Sequence, residues 1–165
     1  MNKFIRKLVT AAVAVVAVCL VTGSALANDH ERPFRGRGEG TVVGSCDLYG
    51  IRGAQVKGWF IATHIGLSED FHCSIGTGGA YPIFDFYIEG TVTAANGDAV
   101  YYAMTGTIDV SKDPCEGEGD ISVLGGTGRF ENASGNIRAS FLEPKSDGVN
   151  CGPTESSALN GRISY

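Results

Sequence analysis

After the N-terminal apolar stretch, no window of the chain sustains a helical period. Short runs in which β-branched and aromatic residues alternate with polar ones recur instead, broken by Gly, Asn, Asp and Pro. The pattern predicts an almost entirely β protein with about eight strands, at roughly residues 40–48, 54–64, 67–75, 83–95, 98–110, 119–124, 133–142 and 157–165. In the fourth run Phe84, Phe86 and Ile88 alternate with Asp85, Tyr87 and Glu89, so one face of that strand is apolar and the other polar. Asn96-Gly97, between two alternating runs, predicts a hairpin closed by a tight I′ turn.

Glycine is placed as regularly as the apolar residues. Gly125-Gly126-Thr127-Gly128-Arg129-Phe130 frees the backbone for positive φ and predicts a sharp corner between the sixth and seventh strands, with Gly125, Gly126 and Gly128 as its structural residues. A phosphate loop would need a Lys-Ser/Thr pair or a helix directly behind the glycines, and neither follows. Gly, a polar residue, then Val or Ile recurs at Gly40, Gly90, Gly106, Gly135 and Gly161, at unequal intervals that exclude a solenoid repeat. Glycine inside strands is costly unless the sheet bends there, so these positions suggest a sheet that closes on itself. Connections of the observed lengths favour pairing of sequential strands, which gives an eight-stranded antiparallel up-and-down barrel.

The start of the chain changes the domain picture. Lys3, Arg6 and Lys7 precede an apolar run from Leu8 to Val21 and the small-residue pattern Ala25-Leu26-Ala27, the layout of a signal peptide over residues 1–27. Residues 28–39, with the basic Arg32 to Gly38 stretch, are expected to be a flexible N-terminal arm, and residues 40–165 the barrel domain. Removing residues 1–27, which carry three positive and no negative charges, takes the formal net charge from −5 to −8. An acidic chain of this kind repels nucleic acid and anionic lipid, so neither a nucleic-acid partner nor a membrane anchor is expected, and the leader implies an extracellular or periplasmic location.

Cys46, Cys73, Cys115 and Cys151 then remain, an even number in an oxidising compartment, and two disulfides are expected from three possible pairings. No pair has Cys-x-x-Cys spacing, so a metal site is not implied. In a meander all four cysteines should gather at one pole, where Cys46–Cys73 and Cys115–Cys151 each join elements one strand apart.

Gly90-Thr91-Val92-Thr93-Ala94-Ala95-Asn96-Gly97-Asp98, Thr105-Gly106-Thr107, the Gly125 to Phe130 corner with Asn132-Ala133-Ser134-Gly135, Ala62 to Gly66, and the terminal Asn160 to Tyr165 together resemble the secreted bacterial allene oxide cyclase barrel-like family. That group is related in fold to plant allene oxide cyclases and dirigent proteins. The resemblance spans about residues 40–165. It implies an eight-stranded barrel with an apolar cavity, needing no cofactor and often assembled as a homo-oligomer, a dimer or trimer. No catalytic residue of those enzymes is matched position by position.

Candidate ligand-binding residues follow from parity along the strands. Asp85 and Glu89, with Tyr87 between them, are surface residues if the phenylalanines fill the barrel, and cavity carboxyls in the opposite register. His64 closes the second strand near a barrel mouth, and His72 beside Cys73 reads as packing near a disulfide. Of Tyr101 and Tyr102 one must point inward, and Tyr101 is taken as the candidate. Trp59, Phe60 and Ile61 are large on both faces, so the outer one needs a cover from a second subunit or the N-terminal arm.

Three functions remain open. The first is binding of a small apolar or amphipathic ligand, the second a cofactor-free cyclase or isomerase, and the third a filled structural or interaction barrel. An inward carboxyl with a raised pKa beside an open apolar pocket would favour the cyclase, a pocket without one would favour binding, and a filled barrel would exclude both.

Overall fold

The alternating runs fold as eight strands whose inward residues are apolar or glycine. A computed structural model describes residues 31–165; the expected leader over residues 1–27 lies outside them. The strands are β1 (Arg32–Leu48), β2 (Ile51–Ala62), β3 (Gly66–Ala80), β4 (Ile83–Ala94), β5 (Ala99–Asp109), β6 (Cys115–Gly126), β7 (Ser134–Glu143) and β8 (Thr154–Ser164). Each pairs antiparallel with its neighbours in sequence, and β1 closes on β8 to complete the up-and-down barrel.

Residues 32–39 are not an arm. Arg32 pairs with Ile163 and Gly36 with Ala62, so this segment is the first half of β1 and stitches β2 to β8. Its composition hides this role, because Gly36, Gly38 and Gly40 stand where inward side chains would be expected. A Cβ at Gly38 would come 2.5 Å from the Phe60 ring, which takes the space instead. Being built into the wall, these residues do not cover Trp59 and Ile61, which lie on the outside of β2 at 40% and 46% exposure.

The turns exchange roles relative to expectation. Asn96 does not adopt positive φ, and only Gly97 does, at 88°. The Gly97 amide donates to the Ala94 carbonyl and the Ala94 amide to Asp98, which makes a three-residue loop of type I with a glycine bulge. The two-residue turn with both centres at positive φ falls at Tyr49-Gly50, with φ of 56° and 80°.

The connections at 63–65, 95–98 and 127–133 close one pole. After β6 the glycine corner turns through a short 3-10 segment, Gly128–Phe130, and drives Phe130 into the barrel end at 0% exposure. Its ring packs edge-on against Tyr165 at 5.1 Å, with Phe34, Ile65 and Ile163 in the same core. The opposite pole carries the 49–50, 81–82, 110–114 and 144–153 connections.

Cys46 bonds Cys73, and Cys115 bonds Cys151, as the topology suggested. Cys46, Cys115 and Cys151 belong to that second pole, whereas Cys73 lies in the middle of β3, which runs on to Ala80. The β1–β2 tip leans over the outer side of β3 and β4 to meet it. Both Tyr49 and Tyr87 donate to Glu89 Oε1, the latter at 2.7 Å.

Candidate functional site

Period-two alternation along β3 turns Ser68, Asp70, His72 and Ser74 inward and Glu69, Phe71 and Cys73 outward. Asp70 is 1% exposed and His72 4%, so a carboxyl and an imidazole are buried in a core whose other buried polar side chains are Ser68 and Ser164 among the described residues. Both carboxylate oxygens are occupied. Tyr102 Oη donates to Asp70 Oδ1 at 2.9 Å, and His72 Nδ1 lies 2.6 Å from Oδ2 as the second donor.

Tyr102 belongs to β5 and Asp70 to β3, with β4 between them. The β4 residue paired with both His72 and Tyr102 is Gly90, where a Cβ would lie 2.6 Å from His72 Cβ and from Tyr102 Oη. The missing side chain lets the phenol cross β4 and reach the carboxylate.

With Nδ1 committed to Asp70, His72 Nε2 is left buried without a hydrogen-bond partner. The His72 side chain borders two spaces. Toward the closed pole is an apolar chamber of about 70 Å³, bounded by residues such as Phe34, Val100, Met104 and Ile163. Toward the opposite pole a mouth of about 220 Å³ is lined by Val56, Ser74, Ile108, Glu143 and Thr154. His72, Ile88, Phe141 and Glu155 border both.

The electrostatics follow from burial without a basic partner. Burial pushes the Glu143 carboxyl up to about 7, with the charge of Glu155 adding to the rise. Glu155 is also raised, by burial first, with His72 pulling it down and Asp70 pushing it up. Burial alone would lower His72, but the Asp70 hydrogen bond and the charges of Asp70 and Glu155 outweigh it, and the net shift is upward. The Tyr102 hydroxyl is held well above the ordinary tyrosine range by burial, then by the charge and hydrogen bond of Asp70 and the charge of Glu155.

The residues expected at the cavity are elsewhere. Phe86 and Ile88 are buried, so the phenylalanine face of β4 is the inner one and Asp85, Tyr87 and Glu89 face out. Asp85 opens on an outer groove with Thr105, Glu118 and Arg138. The Tyr49 and Tyr87 hydroxyls hold the Glu89 carboxyl below its ordinary range, although burial opposes them slightly. Tyr101 is outside, 42% exposed, and its neighbour Tyr102 is the inward tyrosine. His64 sits in the β2–β3 turn at the closed pole, with φ of 72° and Nε2 3.1 Å from the Pro33 carbonyl.

His72 is no disulfide packing, because its side chain lies across β3 from Cys73. Asp70, Glu143 and Glu155 are not among the candidates read from the sequence. For Glu143 a signal exists, since it shares strand parity with Ile137, Ala139 and Phe141, whereas Asp70 shares its face with the polar Ser68, His72 and Ser74.

The chain is a closed eight-stranded antiparallel barrel, cross-linked by two disulfides, with an Asp-His-Tyr cluster buried inside it. A solved structure of a pterocarpan synthase dirigent protein matches over 88% of this chain and 98% of that one, with a TM-score of 0.53 and 13% sequence identity. That likeness is one of fold. No family model matches the sequence, and no curated protein matches it. The two disulfides fit an extracellular protein. Among the described residues no helix is long and apolar enough to cross a membrane.

Proposed function

We propose that the protein binds one small amphipathic molecule inside its barrel, entering by the mouth at Glu143 and Glu155. The observation that carries this reading is the pair of spaces bordered by the His72 side chain, whose Nε2 is a buried polar atom with no hydrogen-bond partner among the described residues. A buried polar group without a hydrogen bond costs about 1–3 kcal/mol, a cost that a ligand polar group would remove. Spaces of about 70 and 220 Å³ suit a compact ligand better than a long lipid chain.

Native mass spectrometry of protein secreted by its own producer, combined with NMR of the Met104 methyl group, tests this. A retained small molecule, or a Met104 shift on adding 1-pentanol, supports the reading. Bare protein with an unmoved Met104 overturns it.

A second reading, a cofactor-free cyclase or isomerase, is favoured by one set of observations. Carboxyls with raised pKa, Glu143 and Glu155, adjoin an apolar chamber, and His72 is oriented by Asp70 with its other nitrogen free. A carboxyl raised to about 7, as Glu143 is, can exchange a proton near neutral pH. Conversion of the retained molecule by the unmodified protein and not by His72→Gln would support catalysis. Release of the molecule unchanged would leave binding alone.

A further inference from the structure

The charges around the interior point to the kind of ligand. Asp70, Glu143 and Glu155 border or underlie the two spaces, and His72 is the one basic side chain among the described residues that line them. Neither Glu143 nor Glu155 forms an ion pair or a side-chain hydrogen bond among the described residues. His72 is already bound to Asp70, and even fully protonated it balances only one of three carboxylates. Uncompensated carboxylates in an apolar enclosure are costly unless they gain a proton or a cation.

We propose that the barrel selects a compact primary alkylamine, with its ammonium group held by Glu143 and Glu155 at the mouth and its alkyl chain in the inner chamber. This rests on the binding reading above and adds the charge of the ligand. The ammonium offers three N–H donors, enough for both carboxylates and for His72 Nε2, which is an acceptor when the imidazole is neutral with its proton on Nδ1. Gly40 on β1 leaves room for the Glu155 side chain, since a Cβ there would lie 3.0 Å from Glu155 Oε1. An apolar chamber of about 70 Å³ holds a short chain and excludes a bulky one. A carboxylate ligand would meet two acidic side chains and, among the described residues lining the spaces, no lysine or arginine.

The test is a titration of the disulfide-intact protein at neutral pH with pentylamine, 1-pentanol and hexanoate, which share a pentyl chain and differ in head group. The readout is the Met104 methyl resonance in the inner chamber. Pentylamine should bind about tenfold or more tightly than 1-pentanol, the ratio expected of a charge-assisted contact, and hexanoate should bind most weakly. In Glu143→Gln the preference for amine over alcohol should fall about threefold or more; Glu155→Gln should act likewise.

If 1-pentanol moves Met104 but the amine binds no better, the amine proposal fails while the binding reading stands. If none of the three moves Met104, both fail. Should Glu155→Gln not fold, Glu143→Gln at the rim and the ratio in the unmodified protein decide. An amine preference that survives Glu143→Gln undiminished would overturn the assignment of the mouth as the ammonium site.

Discussion

Replacing Tyr102 by Phe keeps the ring and removes only the hydroxyl that donates to Asp70 Oδ1 at 2.9 Å. Asp70 is 1% exposed, so water cannot easily replace the lost donor, and the carboxylate keeps only His72 Nδ1. A hydrogen bond to a charged buried group is worth about 1.5–3 kcal/mol. With a urea m-value of about 2 kcal/mol/M, the unfolding midpoint should drop by about 1 M with m unchanged. The neighbouring Tyr101→Phe is the control, because its hydroxyl is on the outer wall, and it should stay within about 0.5 kcal/mol. Combining Tyr102→Phe with Asp70→Asn in a double-mutant cycle should return a coupling above about 1 kcal/mol. Equal effects at 101 and 102, or a coupling near zero, would refute the account of a phenol spanning β4 to hold a buried carboxylate.

Gly90→Ala should lose as much stability as Tyr102→Phe or more, since its methyl would occupy the space at 2.6 Å from Tyr102 Oη and His72 Cβ; thermal melts check this. Phe130→Ala should cost about 3–5 kcal/mol by chemical denaturation, because a fully buried plug is removed from the closed pole. Full reduction should lower Tm by well over 5 °C in calorimetry, since the bonds close segments of 27 and 36 residues, worth about 3–4 kcal/mol each in the chain-entropy account. Glu143 has a folded pKa of about 7 against 4.5, so its protonated form favours the native state. Its contribution is full below pH 4.5 and lost as pH rises through about 7. The raised His72 acts in the same direction, with stability present below pH 6.5 and lost above. Stability measured by urea unfolding should therefore decline from about pH 5 to pH 8, and Glu143→Gln should flatten that decline; an unchanged slope would show that Glu143 does not carry it.

Alternation and glycine placement were enough to determine a closed meander of eight strands, because a period of two is a local property and each turn signal lies within a few residues of its effect. The same local chemistry suggested both disulfide partners once the strand order was set. The failures have physical reasons. The segment 32–39 reads as an arm because its inward positions are glycines, and only the Phe60 ring from β2 explains them. Asn96-Gly97 reads as the tightest turn, yet the pairing of Ala94 with Asp98 makes it one residue longer.

Parity along a strand leaves one binary choice, which face is inside, and closure of the sheet makes that choice. It placed Asp85, Tyr87, Glu89 and Tyr101 on the outer wall and Asp70, His72, Tyr102, Glu143 and Glu155 within. The bond between Asp70 and Tyr102 joins residues 32 apart in sequence across an intervening strand. No local pattern contains that contact, because it depends on the registers of two hairpins and on the missing side chain at Gly90. The sequence alone thus determined the wall of the barrel, and the tertiary structure decided what the wall encloses.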